Sequence, residues 1–472
     1  MSPNAGYGIN YSPTDPKDAP VTLEQLGDKG IRYIRLTWVD LVNNIRYRVI
    51  PISHFRKLLK SSRQGITIAK IVLGLVFLNT AEGFGPVGEY LYVPDLKTLR
   101  VCPYAKGHAM VLGYFEHKDN KTSGNESLEV DLCPRTILKR VMQDAKKACD
   151  VDFLVGFETE FILLKSVDPI EAVNDHGWSN SPALPSGAVE TKVLEEIADH
   201  LQASGVELEM YHAEAAPGQY EIVTGPLSPL EACDALILTR ETIFNTASKH
   251  GLRATLAPRV FGSSCGSGAH THMSIHSKKN LSLPPSTSSR LAPLEASFLA
   301  GVLESLPVLC ALTLPTAPSY ARMVDGVWSG GTCVAWGVEN KETPLRLCPA
   351  SSPHFEAKCI DGTSNPYLAM AGLLGAGLEG VKKASELKVK DCSEVAPAEL
   401  SEAERKEMGV KVRMPKTIHE ARERLAGPEG SVVREVLGDE FVKAYISVNK
   451  TLEKCLGEGT EAEVMKRMVE NY

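Results

Sequence analysis

Four short stretches of this chain set acidic or imidazole side chains at close spacing inside strand-forming sequence. They are Glu158-Thr-Glu160, Glu214-Ala-Ala-Pro-Gly-Gln-Tyr-Glu221, His270-Thr-His272-Met-Ser274 and Glu356-Ala-Lys358. Side chains two apart on a strand share a face. Strands normally bury apolar groups on one face, so several strands aiming carboxylates inward are costly unless a positive charge compensates. A divalent metal ion is the simplest compensation. The pattern therefore constrains fold and chemistry together: the strands must meet around a shared ionic site.

The flanks agree. Phe157, Phe161, Ile162 and Leu163 make the Glu158–Glu160 segment a central strand. Glu221 enters a strand after the Pro217-Gly218 turn, and Glu214 precedes that turn, so a hairpin brings them together. His270 and His272 have a good ligand spacing, and Gly262, Gly266 and Gly268 before them permit close backbone approach. A Gly-rich turn into a strand with incidental histidines would look similar at this segment. Downstream, Arg322, Lys341, Arg346 and Lys358 lie among apolar residues and glycines, a setting that suits carboxylate or phosphate recognition. Phosphate-loop signatures are absent: there is no GxxxxGK[ST], and GSGAH does not match GxGxxG. Taken together, five carboxylates and an imidazole facing four cations form the layout of a phosphoryl-transfer site.

The chain has 472 residues, enough for two domains, and is 43% hydrophobic and 23% charged. Its net charge of −7 argues against general nucleic-acid or anionic-membrane binding. Eleven cysteines, without CxxC pairs, read as reduced core thiols of a cytoplasmic protein. The N-terminus lacks the basic start and apolar core of a signal peptide. No apolar run reads as a bilayer span; the longest candidate, 66–78, is interrupted by Lys70 and is expected to be a buried strand region.

The first 28 residues are Pro-, Asp- and Gly-rich and then partly helical. Alternation on either side of Val42-Asn-Asn-Ile45 predicts a β-hairpin with an Asn-Asn turn. Further strands follow, so residues 1–118 are expected to form a small sheet-rich domain. Residues 119–131 form a polar connection, and 132–472 form the larger domain. Helices are expected over PRTILKRVMQDAKKAC, GAVETKVLEEIADHLQASG, LEACDALILTRETIFNTASKHG, LEASFLAGVLESLPVLCALT and NPYLAMAGLLGAGLEGVKKA, with a helical tail. The stretch 386–413 reads as a surface excursion with a helical turn. Strands and helices do not alternate regularly, which favours α+β with an antiparallel sheet.

FETEF, EAAPGQYE, GSGAHTHMS, ARMVDGVW, WGVENKETPLR and FEAKCIDGTSNPYLA, in that order, resemble the glutamine synthetase family, type I-like branch. The resemblance runs from residue 31 to the tail. It implies a small β-grasp-like N-terminal domain and a larger catalytic domain with a curved antiparallel sheet and flanking helices. It also implies a homo-oligomeric double ring with active sites between subunits. The implied reaction uses ATP to phosphorylate the γ-carboxylate of glutamate; an amine then displaces phosphate. Two or three Mg²⁺ or Mn²⁺ ions per site are implied. Glu160, Glu214 and Glu221 match ligands of one ion, and Glu158, His270 and Glu356 those of a second. Glu209, His272, Ser274 and Arg346 match nucleotide contacts. Gly266, Arg322 and Lys358 match the glutamate site, and Lys341 lies near the transferred phosphate.

Four residues depart from the glutamine-forming pattern. Cys265 stands where those members often have Asn, and Trp328 replaces an acidic residue that helps deprotonate ammonium. Lys341 and Lys358 stand where they use Arg, and an ammonium cannot make the same bidentate contact. Trp328 and Lys358 resemble the γ-glutamylpolyamine and γ-glutamylamide ligase side branch, so an organic amine is expected rather than ammonia. Glutamine synthesis from ammonia, ligation of another acid, and a catalytically weak structural oligomer are the alternatives.

Overall fold

A computed structural model describes residues 7–14, 21–119, 127–350 and 352–472. In the N-terminal part, Tyr33–Val39 pairs antiparallel with Ile45–Pro51 and parallel with His108–Val111. The hairpin forms as the alternation predicts. Its connection spans 40–44, with Asn43 in the left-handed region (φ 66°), which Asn tolerates better than most residues. Asp40 Oδ1 closes the turn by accepting from the Val42 and Asn44 amides at 3.0 and 2.9 Å. A second small sheet joins Ile66–Ala69, Glu89–Pro94 and Gly113–Glu116.

Three local expectations differ from the structure. Residues 23–30 are turns rather than partly helical. HAMVLGYFEH divides at Leu112 into two strands that join different sheets. The 66–78 run is a strand, a 3₁₀ turn and a two-residue strand, and Leu78 is 91% exposed rather than buried. Hydrophobicity alone does not tell a strand from a capped turn over such short runs. Of the connection 119–131, residues 120–126 lie outside the described residues, while Glu129 bridges back to Glu116.

The larger part is built on a nine-stranded sheet. Its path runs Leu208–Ala213, Gln219–Leu227, Val151–Val167, Thr271–Ser277, His354–Ala357, Leu345–Cys348, Trp336–Val338. Every pairing in it is antiparallel except that of Trp336–Val338 with Leu345–Cys348. The Glu158–Glu160 segment is therefore central, as its flanks imply. The expected helices appear at Pro134–Cys149, Val189–Ala203, Pro229–Lys249, Pro293–Thr313 and Pro366–Lys382.

Pro293–Thr313 is long and apolar enough to cross a membrane by length and composition, contrary to the reading that no run reaches that length. It is instead a core helix: 89% of its most apolar window is buried, as befits a helix apolar on all sides. It packs against Pro366–Lys382. The backbones approach so closely that a Cβ on Gly301 would lie 2.3 Å from the Ala376 carbonyl oxygen. The excursion 386–413 carries the helix Glu402–Glu407, and Cys392 and Val410 pack with Cys333 and Ala335.

The two parts lock through polar contacts at the hairpin turn. Asn43 Nδ2 donates to the Gly362 carbonyl at 2.9 Å, and the Tyr472 hydroxyl donates to the Val42 carbonyl at 2.8 Å. Asn365 does two jobs. Its Oδ1 caps Pro366–Lys382 by accepting from the Tyr367 and Leu368 amides, and its Nδ2 donates to the Asp40 carbonyl at 2.8 Å. Asn365→Ala is expected to cost about 2–3 kcal/mol in denaturant unfolding; a loss under about 0.5 kcal/mol would contradict this double role.

Candidate active site

Register decides which side chains meet. Glu160 pairs with Glu221, and Glu221 pairs with His212 on the next strand. On the other side of the central strand, Gly156 pairs with His272, His272 with Glu356, and Glu356 with Arg346. Two rows of polar residues thus cross one sheet face. Glu158 lies between them, its amide donating to the His270 carbonyl at 3.0 Å.

The central contacts are short. Glu158 Oε2 meets His270 Nδ1 at 3.0 Å, and its Oε1 meets His272 Nε2 at 2.9 Å. Both imidazoles of the HxH therefore share a face, although His270 sits just ahead of its strand. Glu160 Oε2 accepts from Gln219 Nε2 and the Gly268 amide, each at 2.9 Å, and its Oε1 lies 3.5 Å from His270. Glu356 is bracketed by two cations, Arg346 Nη1 at 2.9 Å and Lys358 Nζ at 3.0 Å. Lys358 also lies 3.4 Å from His270 Nε2. Glu221 and Glu214 lie 3.2 and 3.6 Å from His212, their one ion-pair partner among the described residues.

The electrostatics follow this asymmetry. Burial would raise Glu356, but Lys358 and then His270 hold it at about 2. Burial likewise opposes ionisation of Glu158, yet His272 holds it well below the ordinary carboxylate range. Burial pushes Glu221 up to about 7, with the charges of Glu158 and Glu160 adding to the shift against the pull of His212. Burial, and after it Glu160, also raises Glu214. The hydrogen bond to Glu221 lifts His212 to about 9. Protein cations thus balance Glu356 more fully than they balance Glu214 and Glu221.

Three sets of donor atoms lie within 4.8 Å of one another here: Glu158–Glu221–His270, Glu158–His272–Glu356 and His212–Glu214–Glu221. Carboxylate oxygens with one imidazole suit Mg²⁺ or Mn²⁺. The residues fit such ions. Glu160 lies opposite Glu221 and also accepts from Gln219 and the Gly268 amide, and His212 and His272 lie close enough to join the sets.

All of these groups line one cavity of about 1200 Å³. So do Glu209, Gly266, Ser274, Arg322, Trp328 and Lys341. That exceeds the usual range of about 300–1,000 Å³ for one small ligand. Arg322 is anchored by Nη2 to the Lys358 and Ile360 carbonyls at 2.8 and 3.0 Å. The Nε atoms of Arg322 and Arg346 are buried without a hydrogen-bond partner among the described residues. Glycine at 266 lets the loop pack against Arg322: a Cβ there would lie 2.3 Å from Arg322 Cγ. Lys341 Nζ sits 5.7 Å from the centre of the Trp328 ring.

A match to the glutamine synthetase catalytic-domain model covers residues 131–464. The chain belongs to the glutamine synthetase family. It is 36% identical to protein fluG of Emericella nidulans over 94% of the chain, and spans 49% of that protein. It is 29% identical to the gamma-glutamylpolyamine synthetase GlnA3 of Streptomyces coelicolor, over 90% of each chain. Among solved structures, a GmaS/ADP complex superposes with a TM-score of 0.77 at 23% identity, covering 94% of this chain and 98% of the other. This last likeness concerns the fold.

Several residues of this glutamine-synthetase site escape the motifs. His212 has a signal, since counting back across the Pro217-Gly218 turn pairs it with Glu221. Trp178 has none. Its ring meets Trp328 edge-on at 6.4 Å, both lining the cavity. Tyr11 also lacks a signal; its hydroxyl donates to Glu209 at 2.7 Å.

A pH prediction follows from Glu221. Its folded value is raised, so its stabilising contribution is full below the ordinary value of 4.5 and is lost as pH rises through about 7. A bound divalent cation removes that loss. Mg²⁺ is expected to raise the unfolding temperature more at about pH 8 than at about pH 5.5. Equal increments in differential scanning fluorimetry would contradict the assignment.

Proposed function

We propose that the chain is an ATP-dependent ligase that joins the γ-carboxylate of glutamate to an organic amine. The family supplies the glutamate-ligase chemistry. The observation that carries the amine class is the Trp178–Trp328 pair on the cavity wall, at 6.4 Å and 82°. Trp328 is 59% exposed and held in a left-handed conformation (φ 59°), its amide donating to Glu342 at 2.5 Å. Two indoles offer apolar area and ring faces to an alkylamine, and little to ammonium. The name of the GlnA3 relative supports the same class.

In this reading, glutamate sits against Arg322 and Gly266, which line the cavity. The nucleotide lies along Glu209, His272, Ser274 and Arg346. Glu158, Glu214, Glu221, His270 and Glu356, with His212 and Glu160 beside them, hold divalent ions, which when bound neutralise phosphate charge. A γ-carboxylate oxygen attacks the γ-phosphorus of ATP, and ADP leaves. The amine nitrogen then attacks the acyl carbon, losing a proton as phosphate departs. The chain's own part is to position three reactants and neutralise charge. Arg346 contributes through its guanidinium charge at the cavity wall, and Lys341 through its ammonium near the Trp328 ring. The exposed Leu78 and Val87 support homo-oligomerisation, and eleven free thiols support a reducing, cytoplasmic setting.

The test is glutamate-dependent phosphate release from ATP with ammonia, methylamine, ethanolamine, putrescine and spermidine. An organic amine is expected to give the highest kcat/KM, and ammonia as the best substrate would contradict the proposal. Silence across the panel with Mg²⁺ and Mn²⁺ would favour a structural oligomer. Trp328→Glu is expected to shift the organic-amine-to-ammonia ratio toward ammonia by about tenfold or more; an unchanged ratio removes Trp328 as the determinant. Glu158→Gln is expected to lower kcat by about 10²-fold or more with assembly intact, whereas a scaffold would mainly lose assembly.

A further inference from the structure

Beside the carboxylate cluster, the same sheet face carries a group of different chemistry. Cys348 and His354 are direct cross-strand partners, and His272 lies on the next strand, opposite Glu356. The His272 and His354 rings stand edge-on with centroids 4.9 Å apart. The ligand-capable atoms of His272, Cys348 and His354 all lie within 4.8 Å of one another, and all three residues are half-buried. We infer that His272, Cys348 and His354 form a site for a single zinc-type ion, adjoining the carboxylate cluster and sharing His272 with the Glu158–His272–Glu356 donor set and with the nucleotide contacts of the proposed ligase.

Outer contacts orient both rings for this role. His354 Nδ1 meets the Ser352 carbonyl at 2.9 Å, and a carbonyl only accepts, so Nδ1 carries the proton and Nε2 keeps its lone pair. His272 Nε2 meets the ionised Glu158 carboxylate at 2.9 Å, which assigns the proton to Nε2 and leaves Nδ1 as the donor. A backbone carbonyl behind one imidazole and a carboxylate behind the other are the supports that metal-bound histidines use. Zinc–sulfur and zinc–nitrogen bonds of about 2.3 and 2.0 Å place ligand atoms about 3.6 Å apart, so a closure of about 1 Å completes the set. A thiolate and two imidazoles suit zinc and disfavour Mg²⁺. His272 and His354 line the cavity, from which water would complete the coordination. Binding releases the Cys348 thiol proton.

Co²⁺ is the probe, titrated into the full chain in excess Mg²⁺. One Co²⁺ per chain is expected to give tetrahedral d–d bands and a thiolate-to-cobalt charge-transfer band, both erased by one equivalent of Zn²⁺. Cys348→Ser should abolish the charge-transfer band. His354→Gln keeps the thiol and should weaken Co²⁺ binding by about tenfold or more; it serves as the second variant if Cys348→Ser fails to fold. Absence of the charge-transfer band in the wild-type chain, its persistence in Cys348→Ser, or unchanged affinity in His354→Gln would overturn the site.

Discussion

Two buried glutamates, Glu160 and Glu221, stand directly opposite each other on neighbouring antiparallel strands. Like charges in that relation destabilise a sheet, and burial multiplies the cost. Much of the surrounding structure is arranged to relieve it. Gln219 and the Gly268 amide satisfy Glu160, and His212 reaches Glu221 from the outer strand. His270 stands within 3.5 Å of Glu158, Glu160 and Glu356. The relief is incomplete on the Glu214–Glu221 side, where His212 is the one ion-pair partner among the described residues and His270 acts from farther away. A fold that keeps such a deficit in a large cavity is built to receive a cation there.

The opposite side of the cluster is balanced from within. Arg346 and Lys358 both engage Glu356, so the charges expected to greet substrate are partly committed to the protein. What faces the cavity beyond these pairs is the Arg322 side chain and the ammonium of Lys341 beside an indole. The cavity therefore has a cation-poor end, an end with guanidinium donors and an aromatic wall. These suit metal, anionic substrate and an amine with an apolar body.

Much of this was legible in the sequence because local patterns carried it. The Glu158–Glu160 and His270–His272 alternations identify the strands and the face they present. The proline starts and apolar stripes locate the long helices. Register is not local: it depends on turn lengths and on which strands neighbour one another. That is why the hydrogen bonds from Gln219 and the Gly268 amide to Glu160, a residue grouped with Glu214 and Glu221 through the family resemblance, show only in the folded chain. Trp178 and Tyr11 lie in irregular segments without periodicity, so only the folded chain places them at the cavity. The apolar 66–78 run misleads for the same reason, since Leu78 is turned outward by a two-residue hairpin strand.

The account rests on the carboxylate cluster being a cation cage, and binding of Mn²⁺ followed by electron paramagnetic resonance addresses this without requiring turnover. The wild-type chain is predicted to take up more than one Mn²⁺, and Glu221→Gln to lose at least one of these with the fold intact by circular dichroism. Identical Mn²⁺ uptake in the two chains, or none in the wild type, would contradict it.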